Sequence, residues 1–315
     1  MVIPTFGRRA SVLRLLQALG RQAGPPADFE VIVSIDGSQD GTQEVVGSFP
    51  APFLLRSLWQ PNRGRAAACN AGLRAAVGEL VVFLDDDMEP APGFLEGHKR
   101  AHSAAPPPRG VVGAAPIIVG DSAPPLVSYV GHAFNARLER LARAERVHFK
   151  DAYTGNFSAP RAVLERIGGY DEGFRLYGHE DYELLLRLVE AGVELVYCPE
   201  ALAHQHYEKT LPAVARDAIA RGRTAVYFAR KHHEVVDQLR LGAYAQETRK
   251  WRLLRSALLG LGRVFHGLPI AVIALMTRLE RQRPPRLDRY YAMALDYFYW
   301  VGVQAVVREK KKEGL

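Results

Sequence analysis

Three consecutive carboxylates, Asp85, Asp86 and Asp87, follow the wholly apolar run from Leu80 to Leu84. Carboxylates packed side by side repel one another unless something positive sits among them, and Mg²⁺ and Mn²⁺ prefer oxygen ligands. A buried strand ending in such a cluster at its carboxyl edge is therefore suited to a divalent cation, and the partner expected beside the cation is a diphosphate. Taken alone the cluster also reads as a solvated turn or helix cap, so the residues around it must decide.

Two further segments repeat the design. The apolar strand at residues 29–35 delivers Asp36 into the turn Gly37-Ser38, and Asp40-Gly41-Thr42 then opens a helix. Pro4-Thr5-Phe6-Gly7 follows a short strand at residues 1–3 and precedes an amphipathic helix carrying Val12, Leu15, Leu16 and Leu19 on one face. Strands that each run into a loop and then a helix imply an α/β protein with a parallel sheet and a ligand site at the carboxyl ends, where Asp36 and Asp85 share one rim.

A second pair of acids, Glu180-Asp181, opens a helix reaching Ala191 after the Gly-containing loop 173–178, with Tyr182, Leu185, Leu186 and Val189 expected to bury one face. Adjacent helical positions point about 100° apart, so the two acids have separate roles. Acids at a helix start also complement its dipole, and spacing alone favours that reading. Farther on, His204 and His206 flank Gln205 and share one side if the segment is extended.

Residues 1–209 resemble a family 2 glycosyltransferase with the GT-A fold, a doubly wound, mostly parallel sheet flanked by helices. The motifs come in order: Ile3-Pro4-Thr5-Phe6, Asp36 through Thr42, Asn62-Arg63-Gly64 with Asn70-Ala71-Gly72, the aspartate cluster, Thr154-Gly155-Asn156-Phe157, Gly168-Gly169-Tyr170-Asp171-Glu172 and Gly178-His179-Glu180-Asp181. The resemblance implies inverting transfer from a nucleoside-diphosphate sugar, UDP-linked in first place and dTDP- or GDP-linked otherwise, with Mn²⁺ or Mg²⁺ held by Asp87 and Asp85. It further implies that Asp36 contacts the nucleobase, that Pro4 and Thr5 line its pocket, that Asp85 or Asp86 reaches the ribose and that Arg65 offsets phosphate charge. Asp181 is then the general base and Glu180 binds or orients the acceptor, and one of His204 and His206, His204 by preference, is a further metal ligand. Two departures stand out: Gly7 replaces an Asn of the family pattern, and Cys69 replaces an Arg, although Arg65 lies one turn earlier.

Secondary readings attach to the same motifs. Asn70 is expected to bond a neighbouring loop, Trp59 to be core, Gly155-Asn156 to form a turn before a helix, and Gly168-Gly169 to stop one with a positive φ. His98, His102, His232 and His233 read as surface helical residues.

A chain of 315 residues with 48% hydrophobic content supports one sizeable core and an appendage. The two cysteines, Cys69 and Cys198, read as buried thiols, and Arg8-Arg9 followed by an amphipathic helix does not resemble a signal peptide, so a cytoplasmic location is expected. Charge is uneven. Residues 210–315 hold 20 Lys and Arg against 9 Asp and Glu, while residues 1–209 hold 21 against 25. The basic part, a helical extension, calls for an anionic partner. No nucleic-acid motif is present, whereas residues 251–279 mix arginines with leucines, and their charge-free part, residues 264–277, is short of the roughly 20 residues needed to span a bilayer. Tyr290, Tyr291, Tyr297, Phe298, Tyr299 and Trp300 precede Lys310-Lys311-Lys312 and suit an interfacial layer. Peripheral contact with an anionic membrane, and with it a glycan or lipid-linked acceptor of the cell envelope, is one expectation. Helices packed on the catalytic domain with arginines on a wet face are the other. The proline-rich stretches 105–109, 123–125 and 283–286 read as loops.

Two rival classes are open to the same residues. A sugar nucleotidyltransferase also uses a doubly wound sheet and metal-binding acids, but needs a Gly-rich basic loop near the first strand, where residues 4–9 supply one glycine. An inactive membrane-surface scaffold is permitted by Gly7 and Cys69, and retention of Asp36, Asp85, Asp87, Glu180 and Asp181 argues against it.

Overall fold

The computed structural model describes residues 1–22, 28–103, 108–242 and 248–309, with helical backbone continuing to Lys312. Residues 105–107 of the first proline-rich stretch lie outside the described residues. In chain order the strands are β1 (Val2–Thr5), β2 (Glu30–Asp36), β3 (Leu54–Gln60), β4 (Leu80–Leu84), β5 (Met88–Pro90), β6 (Arg109–Gly113), β7 (Asn156–Pro160), β8 (Glu194–Cys198) and β9 (Ala203–Gln205). The helices are α1 (Arg9–Leu19), α2 (Thr42–Gly47), α3 (Arg65–Ala75), α4 (Phe94–His102), α5 (Pro125–Ala142), α6 (Arg161–Arg166), α7 (Glu180–Glu190), α8 (Leu211–Lys231), α9 (Arg249–Val264), α10 (Leu268–Gln282) and α11 (Leu287–Lys312). The chain divides into two compact units. The first comprises Met1–Ile118, Gly131–Arg175 and Glu180–Tyr207; the second comprises Val119–Val130, Leu176–His179 and Glu208–Leu315.

In the first unit seven strands form one sheet in the order β3-β2-β1-β4-β7-β6-β8, with β5 and β9 paired separately. β1, β2, β3 and β4 run parallel, and β7 is antiparallel to both of its neighbours. The chain winds outward from β1 to β3 and then crosses to β4 on the other side of β1, so the loops leaving β1, β2 and β4 open at one rim, where an open α/β sheet binds ligand. β1 is fully buried between β2 and β4 and extends to Thr5, so Pro4 and Thr5 lie within the strand rather than after it.

Helix burial follows the sequence pattern in α1, where Val12, Leu15, Leu16 and Leu19 are buried, but departs from it in α7. There Glu180, Glu183, Leu184, Leu185, Leu186 and Leu188 are buried, while Val189 is exposed. The inward face is shifted because the buried Glu183 is paired with Arg187 one turn later, and Arg187 also donates to the Ile167 and Gly169 carbonyls at 2.6 and 2.7 Å. Gly168 and Gly169 both have positive φ and end α6. Trp59 is not core; it stands half-exposed on the edge strand β3, its indole N–H donating to the Ser38 carbonyl at 3.4 Å.

His98 is likewise not a surface residue, and His102 is half-buried. Asn156 donates through Nδ2 to the Ala114 and Ala201 carbonyls, which leaves its Oδ1 to accept from His98 Nε2 at 2.9 Å. His98 Nδ1 must then accept from the Ser158 hydroxyl at 2.8 Å, and that hydroxyl oxygen accepts from His102 Nε2 at 2.8 Å. This chain pins α4 onto β7. It also explains why Gly155-Asn156 leads into a strand rather than a helix: Asn156 is the buried first residue of β7.

The second unit is helical. α8 and α11 approach so closely that a Cβ on Gly222 would fall on the Tyr299 carbonyl and one on Gly302 on the Ile219 carbonyl. Tyr291, Tyr297, Phe298, Tyr299 and Trp300 are buried, because α11 packs against α8, α9 and α10. The interfacial expectation for these rings is thereby corrected, with Tyr290 the exposed member of the group. Arg255 is not on a wet face either: it is buried, donates from Nε to Asp296 Oδ2 at 2.7 Å and lies over the Trp300 ring. His232 is also buried.

Burial holds His98 and His102 down at about 4 and His179 at about 3, against an ordinary 6.5. These three histidines therefore bind more protons in the unfolded chain than in the folded one below pH 6.5. Their contribution to stability is lost as pH falls through that window towards pH 4, outweighing the single carboxyl among the described residues, Asp86, that burial shifts the other way. His98 alone contributes at most about 3 kcal/mol to this slope. Urea midpoints measured from about pH 7 to about pH 4.5 are expected to fall, and His98→Gln is expected to flatten the profile.

Candidate active site

The acidic turn after β4 meets the ends of β1 and α3. Thr5 Oγ1 donates to Asp86 Oδ2 at 2.7 Å, and Arg8 Nη1, from the loop before α1, reaches Asp86 Oδ1 at 3.4 Å and Asp87 Oδ2 at 3.2 Å. Burial pushes the Asp86 carboxyl up to about 7, only partly offset by Arg8. Asp86 thus faces inward onto Thr5, and the flanking Asp85 and Asp87 carry other contacts.

Asp85 and Asp181 share one cation. Arg65 donates from Nε and Nη2 to Asp85 Oδ1 at 3.1 and 2.8 Å, and from Nη1 to Asp181 Oδ1 at 3.2 Å. The Thr154 hydroxyl also donates to Asp181 Oδ1, and the Thr154 N–H reaches Oδ2 at 3.3 Å. The Arg65 guanidinium lies 5.6 Å from the centre of the Tyr170 ring. Asp181 is partly open, while Glu180 beside it is buried, so the two acids do face different surroundings.

The position of Arg65 traces to Asp36. Its carboxylate accepts from Gln60 Nε2 at 2.7 Å, from the Arg63 N–H at 2.9 Å and from the Gly64 N–H at 2.8 Å, while Asn62 Nδ2 donates to its carbonyl. Asp36 therefore orders the loop that opens α3 and carries Arg65 as its first helical residue. Gly64 turns that corner at φ 91°, with the Arg175 carbonyl 2.9 Å from where a Cβ would stand. A second glycine is set by space: a Cβ on Gly155 would lie 2.5 Å from Asp85 Oδ2. On α3, Asn70 accepts from the Tyr170 N–H at 2.8 Å and donates to its carbonyl at 2.9 Å, the loop contact expected of it. Burial pushes the neighbouring Cys69 thiol up to about 12, so it is inert.

Asp87 meets β9. Gln205 Nε2 stands 3.3 Å from both Asp87 carboxylate oxygens, and the His206 N–H donates to the Asp87 carbonyl at 2.9 Å. In an extended segment the side chains of His204 and His206 project opposite to Gln205, and His206 Nε2 pairs with Glu89 Oε2 at 2.7 Å. Gln205 is the β9 side chain that reaches the Asp87 carboxylate, while His204 pairs in register with Glu89, two residues beyond Asp87.

The sequence reading missed Arg8, Thr154 and Gln205. Arg8 was visible as a cation directly after the first strand, and Gln205 as the middle of an alternating triplet. Thr154 stood first in the motif Thr154-Gly155-Asn156-Phe157, with no role assigned to it. Asp85 and Asp87 offer carboxylate oxygens from one turn, the donor type that a hard divalent cation takes, and in this structure those oxygens accept from Arg65, Arg8 and Gln205.

Asp36→Ala would strip the acceptor from two backbone N–H groups and Gln60. Its cost is expected to be about 2–3 kcal/mol, read as a lowered urea midpoint with an unchanged slope.

The sequence pattern described as glycosyl transferase family 2 matches residues 1–168, and that described as the N-terminal domain of galactosyltransferase matches residues 140–210. The chain is 31% identical over 264 residues to validoxylamine A glucosyltransferase of Streptomyces hygroscopicus subsp. limoneus, covering 76% of this chain and 58% of that protein. It is 31% identical over 287 residues to pre-mycofactocin glycosyltransferase of Mycobacterium tuberculosis, covering 88% and 56%. The chain thus spans little more than half the length of these curated relatives. Among solved structures, the mannosyltransferase PcManGT from Pyrobaculum calidifontis in complex with GDP-Man and Mn2+ superposes with a TM-score of 0.63 at 22% identity, covering 97% of this chain and 86% of that one. S. aureus TarS 1-349 in complex with UDP-GlcNAc gives 0.54 at 16% identity, covering 99% and 91%. These likenesses give the fold as GT-A. With more than half of its residues matched by the family pattern, the chain belongs to glycosyl transferase family 2.

Proposed function

We propose that this protein transfers a sugar from a nucleoside-diphosphate sugar to an acceptor hydroxyl with inversion at the anomeric carbon. The observation that carries the reading is the Arg65 guanidinium joining Asp85 of the acidic turn to Asp181 at the start of α7. A donor-side acid and a candidate base thereby flank one small space. The relatives named as glucosyltransferase and glycosyltransferase, and the similar structures in complex with GDP-Man and Mn2+ or with UDP-GlcNAc, support a nucleotide-sugar donor and a divalent metal.

Asp181 is the general base. Its Oδ1 is occupied by Arg65 and Thr154, so Oδ2 takes the proton as the acceptor oxygen attacks the anomeric carbon. The bond from that carbon to the diphosphate breaks on the opposite face, and no covalent intermediate is required. Asp87 and Asp85 would hold Mn²⁺ or Mg²⁺, which would supply positive charge to offset that of the departing diphosphate. Arg8 and Arg65, already aimed at these carboxylates, supply positive charge at the same rim. Pro4, Thr5 and Asp36, at the carboxyl ends of β1 and β2, frame the nucleobase, and Asp86 holds Thr5 there. Glu180 orients the acceptor side. The donor is a UDP-sugar in first place, and the acceptor is a glycan or a lipid-linked sugar of the cell envelope; a lipid-linked acceptor requires work at a membrane surface.

Thermal shifts with UDP, GDP and dTDP, each with Mn²⁺ and with EDTA, test the donor side. One nucleotide is expected to stabilise the protein only with metal, and no shift with any of them would overturn the donor site. Asp181→Asn is expected to keep that shift while turnover falls by about 10²–10⁴-fold. Unchanged turnover would remove Asp181 from the role of base.

A further inference from the structure

The second unit buries the aromatic rings of α11 yet leaves a broad apolar surface on α9 and the start of α10. Val264 is 83% exposed, Ile270 73%, Leu253 62%, Leu275 56% and Phe265 54%. On α9, Leu253, Leu254, Ala257, Leu261 and Val264 recur at steps of three and four and form one outward stripe, opposite the buried Arg255 and Leu259, and the exposed Phe265 follows directly after the helix. The stripe continues through the connection at residues 265–267 onto Ile270, Ala271, Ala274 and Leu275 of α10. Such a surface in water is unfavourable unless something covers it.

Charge selects what covers it. Residues 249–279 contain Arg249, Lys250, Arg252, Arg255, Arg263 and Arg278, and no Asp or Glu. Arg249, Arg252 and Arg263 run along one flank of the stripe, while Arg255 is neutralised internally by Asp296. An apolar stripe edged by cations and free of acids matches the boundary between acyl chains and anionic headgroups, where a helix lies in the plane with its apolar side inserted. A crossing geometry is not available, since no described helix is long and apolar enough to traverse a membrane.

We infer that the α9 stripe and the first turns of α10 seat this protein on an anionic phospholipid bilayer as an in-plane hairpin. The aromatic segment of α11, despite its interfacial composition, is the internal support that holds the hairpin. The inference goes beyond the proposed reaction and does not depend on it, because binding to lipid is read without donor or acceptor.

The test is sedimentation of the full chain with vesicles of equal parts phosphatidylglycerol and phosphatidylcholine, and with phosphatidylcholine alone, at low and high salt. Binding to the anionic vesicles is expected, weakened by high salt. Leu261→Gln with Phe265→Ser is expected to reduce partitioning by about tenfold or more, whereas Val77→Ser, at an exposed apolar site in the turn before β4 of the first unit, leaves it unchanged. Replacing Arg249, Lys250 and Arg263 with Ser leaves the apolar stripe intact and is expected to abolish the preference for phosphatidylglycerol. Wild-type partitioning of both variants, or no binding to anionic vesicles, would overturn the inference. So would a lipid-free dimer that the Leu261 and Phe265 substitutions dissociate, because the stripe would then be covered by a second copy.

Discussion

Four carboxylates crowd one rim of the sheet, and their mutual repulsion is the constraint that organises the first unit. Asp85, Asp86 and Asp87 come from a single turn, and Asp181 enters from α7; two guanidiniums hold them together, Arg8 against Asp86 and Asp87, and Arg65 against Asp85 and Asp181. Arginine suits this task because its planar fork presents donors to two carboxylates at once. A cation so placed must itself be fixed, and the fixing accounts for much of the surrounding sequence. Asp36 secures the loop that opens α3, Gly64 turns it, and Asn70 ties the same helix to Tyr170.

The antiparallel β7 links this rim to the interior. Its preceding Gly155 leaves room for Asp85, and its Asn156 and Ser158 end in the His98–His102 chain. A buried polar network of this kind is tolerated only when each donor meets an acceptor, and here the fixed orientation of the Asn156 amide dictates the tautomer of His98. Neutral imidazoles thus act as structural connectors, with their acid sensitivity a consequence of burial.

The second unit divides its apolar residues between two purposes. Gly222 and Gly302 let α8 and α11 approach until backbone meets backbone, and the rings of α11 fill the interior around the Arg255–Asp296 pair. What remains outward on α9 and α10 is largely aliphatic, and residues 249–279 hold no acid. Composition alone could not separate these roles, because both segments are rich in apolar and basic residues.

Local pattern determined a good deal. The apolar strands ending in Asp36 and Asp85, the α1 stripe and the glycine stop after α6 were legible because each depends on periodicity or backbone geometry within a few residues. The α/β class and the family followed from the order of short motifs. Tertiary structure decided the rest. Whether Trp59 lies in the core or on an edge strand, whether His98 meets water or Asn156, and whether Gln205 or His204 stands beside Asp87 depend on which segment packs opposite, often far away in the chain. A side chain's chemistry is written in the sequence, but its partner and its burial are set by long-range packing, and those two quantities fix what the residue does.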